Sequence, residues 1–168
     1  MADDGDLVRM NLVGVRLEVP SNSPIVLLRE ETGIRYLPIW VGAVEAQAIV
    51  VALEEEKFPR PLTHDLLKLV VEALGASVER IVVTDLQGSV FYADVVLNLG
   101  GRRVHVGSRP SDAIALATRT SSPIFAKPDV LDQAGIEIRE DESEEDVVNR
   151  FRQALEDVTV EDFLDPPV

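Results

Sequence analysis

The chain contains no cysteine. Disulfides, thiolate zinc sites and cysteine nucleophiles are excluded at the outset. With only two histidines as well, a dedicated structural zinc site lacks ligands. No apolar run approaches the roughly 18–20 residues that span a bilayer. The opening residues, Met1 to Asp6, are acidic and lack the basic-then-apolar order of a signal peptide. A soluble cytoplasmic protein without a membrane partner is the expectation. Neither a P-loop nor a dinucleotide glycine pattern is present, and no Gly-x-Ser-x-Gly elbow surrounds a serine.

Positive charge is scarce overall: 16 Lys and Arg face 30 Asp and Glu, a net charge of −14. Phosphate binding draws its affinity from Lys and Arg, so this balance argues against a nucleic-acid partner until its distribution is considered. Residues 127–168 hold fourteen acids against four bases, and residues 1–7 hold three acids and no base. Between them, 8–126 carries thirteen acids and twelve bases. The body is nearly neutral and the acidity sits at the ends. A polyanion partner remains open.

What is present is a hydrophobic fraction of 46% in 168 residues, enough for one core and a single domain. Near-alternation of Met10, Leu12, Val13, Val15, Leu17 and Val19 predicts a strand over 8–19. Further strands follow over 25–30 and 34–41, with Gly33 expected to supply a positive φ in the tight hairpin between them. Connections this short predict an antiparallel meander. Residues 43–56 read as a helix whose apolar residues occupy most of its girth, which predicts burial on more than one side or an interface between subunits. A second helix over 64–74 ends at Gly75, an expected left-handed cap. Strands near 78–86, 90–99 and 102–106, a helix over 110–119 and a short strand at 122–125 complete the body. The fold class is α+β: a mixed or antiparallel sheet of six to seven strands with three main helices. Beyond 130 the chain turns acidic, and Val147, Val148, Phe151, Leu155 and Val158 predict an amphipathic helix over 144–158 in a C-terminal extension. Residues 1–7 are expected to be a disordered acidic lead.

Two polar helix starts hold the chemistry. The first is Pro59-Arg60-Pro61-Leu62-Thr63-His64-Asp65. Histidine titrates near neutrality, so His64 is the candidate general base or metal ligand. Asp65 can hold a divalent cation and Arg60 can grip a phosphate through two N–H groups. The structural alternative is that Thr63 caps the helix, Asp65 complements its dipole and Arg60 is a surface cation. The second start, Ser108-Arg109-Pro110-Ser111-Asp112, carries the same two meanings. Arg109 and Asp112 can bind phosphate and metal, or Ser108 or Ser111 caps, Pro110 opens and Asp112 complements the dipole. Glu45 lies in the first turn of the 43–56 helix, where an anion is favoured on structural grounds alone. His105 is expected to be a satisfied or solvent-facing strand residue, and Trp40, the one tryptophan, a core residue.

Leu37-Pro38-Ile39-Trp40-Val41-Gly42 leading to Glu45-Ala46, then Pro59 to Leu67, then Arg109-Pro110-Ser111-Asp112-Ala113-Ile114-Ala115-Leu116-Ala117, resemble the bifunctional nuclease domain family. The resemblance covers about 8–130 and fits a bacterial member. It implies an α+β domain that forms homo-oligomers, and an activity on both DNA and RNA. Where many members carry an acid two places before the Arg-Pro-Ser-Asp motif, this chain has Gly107. Two functions follow. In the first, a metal-dependent nuclease acts on single- or double-stranded nucleic acid. Asp65, Asp112 and Glu45 hold Mg²⁺ or Mn²⁺, His64 activates water, and Arg60 and Arg109 bind the scissile phosphate. In the second, a non-enzymatic oligomeric binding module uses the same motifs as fold determinants.

Overall fold

The computed structural model describes residues 6–19 and 21–137. The expected acidic lead falls partly, and the expected 144–158 helix wholly, outside the described residues. Three strands open the fold: β1 (Val8–Glu18), β2 (Ser23–Glu30) and β3 (Arg35–Trp40). They form the antiparallel meander, with Leu12 opposite Leu28 and Val26 opposite Ile39. Helices α1 (Ala43–Leu53) and α2 (Thr63–Ala73) follow. A second meander, β4 (Ala76–Gln87), β5 (Val90–Leu99) and β6 (Arg102–Ser108), leads into α3 (Pro110–Thr120). The described chain ends with β7 (Ile124–Ala126), α4 (Pro128–Ala134) and β8 (Ile136–Glu137).

All eight strands join one mixed sheet in the order β6-β5-β4-β7-β1-β2-β3-β8. The short β7 welds the two meanders together, parallel to β4 and antiparallel to β1. The parallel contact is possible because α3 supplies the crossover that such pairing needs. The described residues form eight strands and four helices, where six to seven strands and three main helices were expected in the same α+β class. Both additions are short elements of two and seven residues, below the length at which hydrophobic periodicity can announce them. Val130 and Leu131 of α4 are each 1% exposed and join the core, so residues 128–137 pack with the body.

Helix α3 is the centre of the helical layer. Ala113, Ile114, Ala115, Leu116 and Ala117 are all essentially buried, against β4 and β5 on one side and α1 and α2 on others. The alanines let helix backbones approach closely, while Ile114 and Leu116 fill the core; burying one such side chain contributes about 1.5–3 kcal/mol. Helix α1 buries Ala46, Ile49 and Val51 but leaves Val44 77% exposed. It is therefore not enclosed on every side. Helix α2 is the outermost: only Val71 is buried, and Leu66, Leu69, Val70 and Leu74 stay exposed.

Two turn glycines behave differently. Gly75 has φ +74°, with open space where a Cβ would stand. Gly75→Ala should therefore cost about 1 kcal/mol, from backbone conformation alone, read as a lower midpoint in denaturant. Gly33 does not take a positive φ, contrary to expectation. A Cβ there would run into the Glu30 side chain, which would have to shift from its contact with Arg35 at 3.0 Å.

Candidate active site

The three motifs converge. Helix α1 brings Glu45, α2 brings His64 and Asp65, and the start of α3 brings Arg109 and Asp112. Arg109 is the hub: its Nε donates to Asp112 Oδ2 at 2.7 Å, its Nη2 to Asp112 Oδ1 at 3.2 Å, and its Nη1 to Glu45 Oε1 at 2.9 Å. The first two contacts are a bidentate pair, the stronger geometry for arginine and carboxylate. His64 Nε2 lies 3.0 Å from Asp112 Oδ1. An ionised carboxylate only accepts, so Nε2 is the donor in this contact, and in the neutral imidazole the lone pair is on Nδ1. The side chain of His64 is 13% exposed, against 64% for Arg109, which puts the imidazole behind an accessible guanidinium.

A second pair lies next to the first. Arg119, in the last turn of α3, is 7% exposed. Its Nε donates to Asp65 Oδ1 at 2.6 Å, and its Nη1 to the carbonyls of Ala48 and Ala115, both at 2.9 Å. One side chain thus ties α1, α2 and α3 together. Arg119 lies outside the two helix-start motifs. Its available signal was position: seven residues after Asp112, two helical turns, it falls on the same face of α3.

Neither helix start is capped as expected. The boundary residue of α2 is Leu62, with Thr63 already helical, and Asp65 Oδ2 accepts from the Leu62 N–H at 2.8 Å. Asp65, at the third position, satisfies the N–H of the boundary residue itself, and Thr63 does not serve as the cap. Arg109 is the boundary residue of α3, and neither Ser108 nor Ser111 bonds to that first turn. Ser108 Oγ is buried without a partner among the described residues, and Ser111 is 7% exposed.

The site opens into a cleft of about 670 Å³. Glu45, His64, Arg109, Asp112 and Arg119 line it beside the apolar Val44 and Phe58. Arg60 is exposed, outside this lining, on the loop that approaches α2. His105 sits in β6, 3.5 Å from Asp94, and takes no part; Gly107, opposite Asp94 in the same strand, is likewise outside the cleft lining.

Burial alone would raise the pKa of Asp112, but the hydrogen bonds from Arg109 and His64 outweigh it and hold the carboxyl below its usual range. Asp65 follows the same balance: burial raises it, and Arg119 and the Leu62 N–H lower it further. Arg109 is held more firmly protonated by Asp112 and then Glu45. A depressed folded-state carboxyl stabilises above its unfolded value, here 3.8, and that stability is lost as pH falls through the folded value. Wild type should therefore exceed Asp112→Asn in stability at neutral pH, and the difference should shrink below about pH 4. Denaturant titrations across that range measure it.

The charges also test the expected metal site. Glu45 and Asp112 are engaged by Arg109, and Asp65 by Arg119. Among the described residues no three His, Asp or Glu side chains converge as ligands. In this arrangement the three carboxylates do not form a ligand set for Mg²⁺ or Mn²⁺.

Comparison with known sequences gives this geometry its context. Residues 26–139 match the model of the Bifunctional nuclease domain. The chain belongs to the bifunctional nuclease domain family. That match contains every residue of the cleft. An uncharacterized protein of Mycobacterium tuberculosis is 42% identical over 161 residues, 92% of this chain and 96% of its own length. Bifunctional nuclease 1 of Oryza sativa subsp. indica is 29% identical over 103 residues, 60% of this chain and 31% of that protein. Bifunctional nuclease 2 of Arabidopsis thaliana is 28% identical over 108 residues, with 62% and 32% covered. The match to this chain thus spans about a third of each of these plant proteins. Among the described residues no helix is long and apolar enough to cross a membrane.

Proposed function

We propose that the cleft between α1, α2 and α3 hydrolyses phosphodiester bonds of RNA, DNA or both. The observation that carries this reading is the His64–Asp112 pair at 3.0 Å beside the exposed Arg109. Asp112, kept ionised, fixes the imidazole with Nδ1 free, the arrangement by which a carboxylate orients a general base. His64 then takes a proton from the attacking water. Arg109 stabilises the negative charge that builds on the non-bridging oxygens, and the departing oxygen recovers a proton from the imidazolium. Arg119 is a positioning residue: through Asp65 it fixes the first turn of α2 and with it His64. Arg60, exposed on the approach loop, holds a phosphate further along the strand.

A second reading is favoured by the pairing itself. Every carboxylate of the cluster already has an arginine, so the network also serves as a clamp between three helices in a binding module without turnover. Cleavage of labelled single-stranded RNA and DNA, with and without EDTA, by wild type and Asp112→Asn purified identically, separates the two. Hydrolysis requires activity in wild type that the variant loses; equal products from both, or none, favour the module. Loss of cleavage in EDTA would show that a divalent ion takes part.

The exposed Leu66, Leu69, Val70 and Leu74 of α2 fit the homo-oligomer implied by the resemblance, since a cluster of apolar side chains left in water marks a contact surface. Light scattering should give a multiple of 18.4 kDa, reduced to that mass by Leu66→Glu with Leu74→Glu. A wild-type monomer would rule it out.

A further inference from the structure

We propose that a second cleft, across the Glu45–Arg109 pair from the first, binds one unpaired nucleobase of a single-stranded substrate. The proposal rests on the phosphodiesterase reading for its ligand class. This cleft measures about 400 Å³, within the roughly 300–1,000 Å³ of small-ligand sites. Trp40 and Val41 at the end of β3 line one part of it, and Val90 and Phe91 at the start of β5 another. Trp40 was expected in the core, yet it is only half-buried. Two aromatic side chains on separate strands offer faces on which a base can stack, and every base has such a face.

Polar groups converge on the same space. Both α1 and α3, eleven residues each, begin here, at Gly42 and Arg109, and neither has a side-chain cap. Ser111 lines the cleft at 7% exposure, and its hydroxyl has no partner among the described residues. The edge of a base, rich in donors and acceptors, would supply one. Arg109 and Glu45 line both clefts. A phosphate resting on Arg109 therefore has one neighbouring nucleoside within reach of Trp40. A base stacked in a duplex cannot enter, so the preference is for single strands.

Trp40 is the only tryptophan, which makes intrinsic fluorescence a direct report on this cleft. The probes are a short phosphorothioate oligothymidylate, an abasic strand of equal length, the corresponding duplex and inorganic phosphate. The oligothymidylate should quench Trp40 saturably, while the abasic strand, duplex and phosphate leave it unchanged. Phe91→Leu should weaken that binding about tenfold. Ser111→Ala should weaken it by about fivefold. The serine variant removes one atom and keeps the test valid should the Phe91 variant fold poorly. Equal quenching by the abasic strand, or unchanged affinity in the folded Ser111 variant, overturns the subsite. So does substrate cleavage without quenching, which leaves the hydrolysis reading intact. Saturable quenching without cleavage supports the subsite and overturns hydrolysis instead.

Discussion

His64→Ala is expected to lower cleavage of RNA and DNA by about 10²–10⁴-fold, the usual contribution of a positioned general base. The fold should survive the change. The side chain of His64 lies at the edge of the outermost helix, and its one hydrogen bond goes to Asp112, which keeps Arg109 when the imidazole is gone. Losing one such bond costs on the order of 1 kcal/mol. His64→Gln sharpens the result: the amide can still donate to Asp112 but cannot take a proton from water. Both variants should be inactive and near wild type in melting temperature. Activity retained in the glutamine variant would mean that the residue acts only by holding Asp112.

Arg119→Ala should have the opposite profile, a large loss of stability. Removing the guanidinium strands Asp65 and leaves the carbonyls of Ala48 and Ala115 without their donor. Breaking one side of a buried pair costs about 3–5 kcal/mol. The low end applies here, because the Asp65 side chain is 36% exposed and water takes over part of its charge. A loss of about 3 kcal/mol lowers the melting temperature by roughly 6–12 °C in a chain of this size. Arg119→Lys should recover little, since an ammonium cannot serve three acceptors in a plane. Arg109→Ala, at 64% exposure, should change stability far less than Arg119→Ala, because water screens its ion pairs. Unfolding in urea monitored by circular dichroism ranks the three; equal effects at Arg109 and Arg119 would contradict the account.

The motifs were legible because they sit at helix starts, where proline and polar residues interrupt apolar runs. That logic brought out Glu45, His64, Asp65, Arg109 and Asp112, which meet in space, and the strands of both meanders through their alternation and glycine turns. It did not bring out Arg119, since a lone cation in the last turn of an apolar helix reads as a complement to the dipole. Only tertiary structure brings Ala48 and Asp65 to it. Pairing of β4 with β7 was illegible for a related reason: three residues, Ile124 to Ala126, carry no period, and their place is set by where α3 ends. Arg60 shows the reverse case, a residue close to His64 in sequence that the loop leaves outside the cleft. The metal site was read from residue types alone, and the sequence does not reveal that each of the three carboxylates is paired with one of two arginines.

The central claim is that His64 and Asp112 act as one unit on a phosphodiester. The most direct test is kcat on labelled single-stranded RNA and DNA for wild type, His64→Ala, Asp112→Asn and the double variant, all purified identically and shown folded. The account predicts that each single change removes most of the activity and that the double variant is no slower than His64→Ala alone. Losses that multiply, or the same rate in all four preparations, would contradict it.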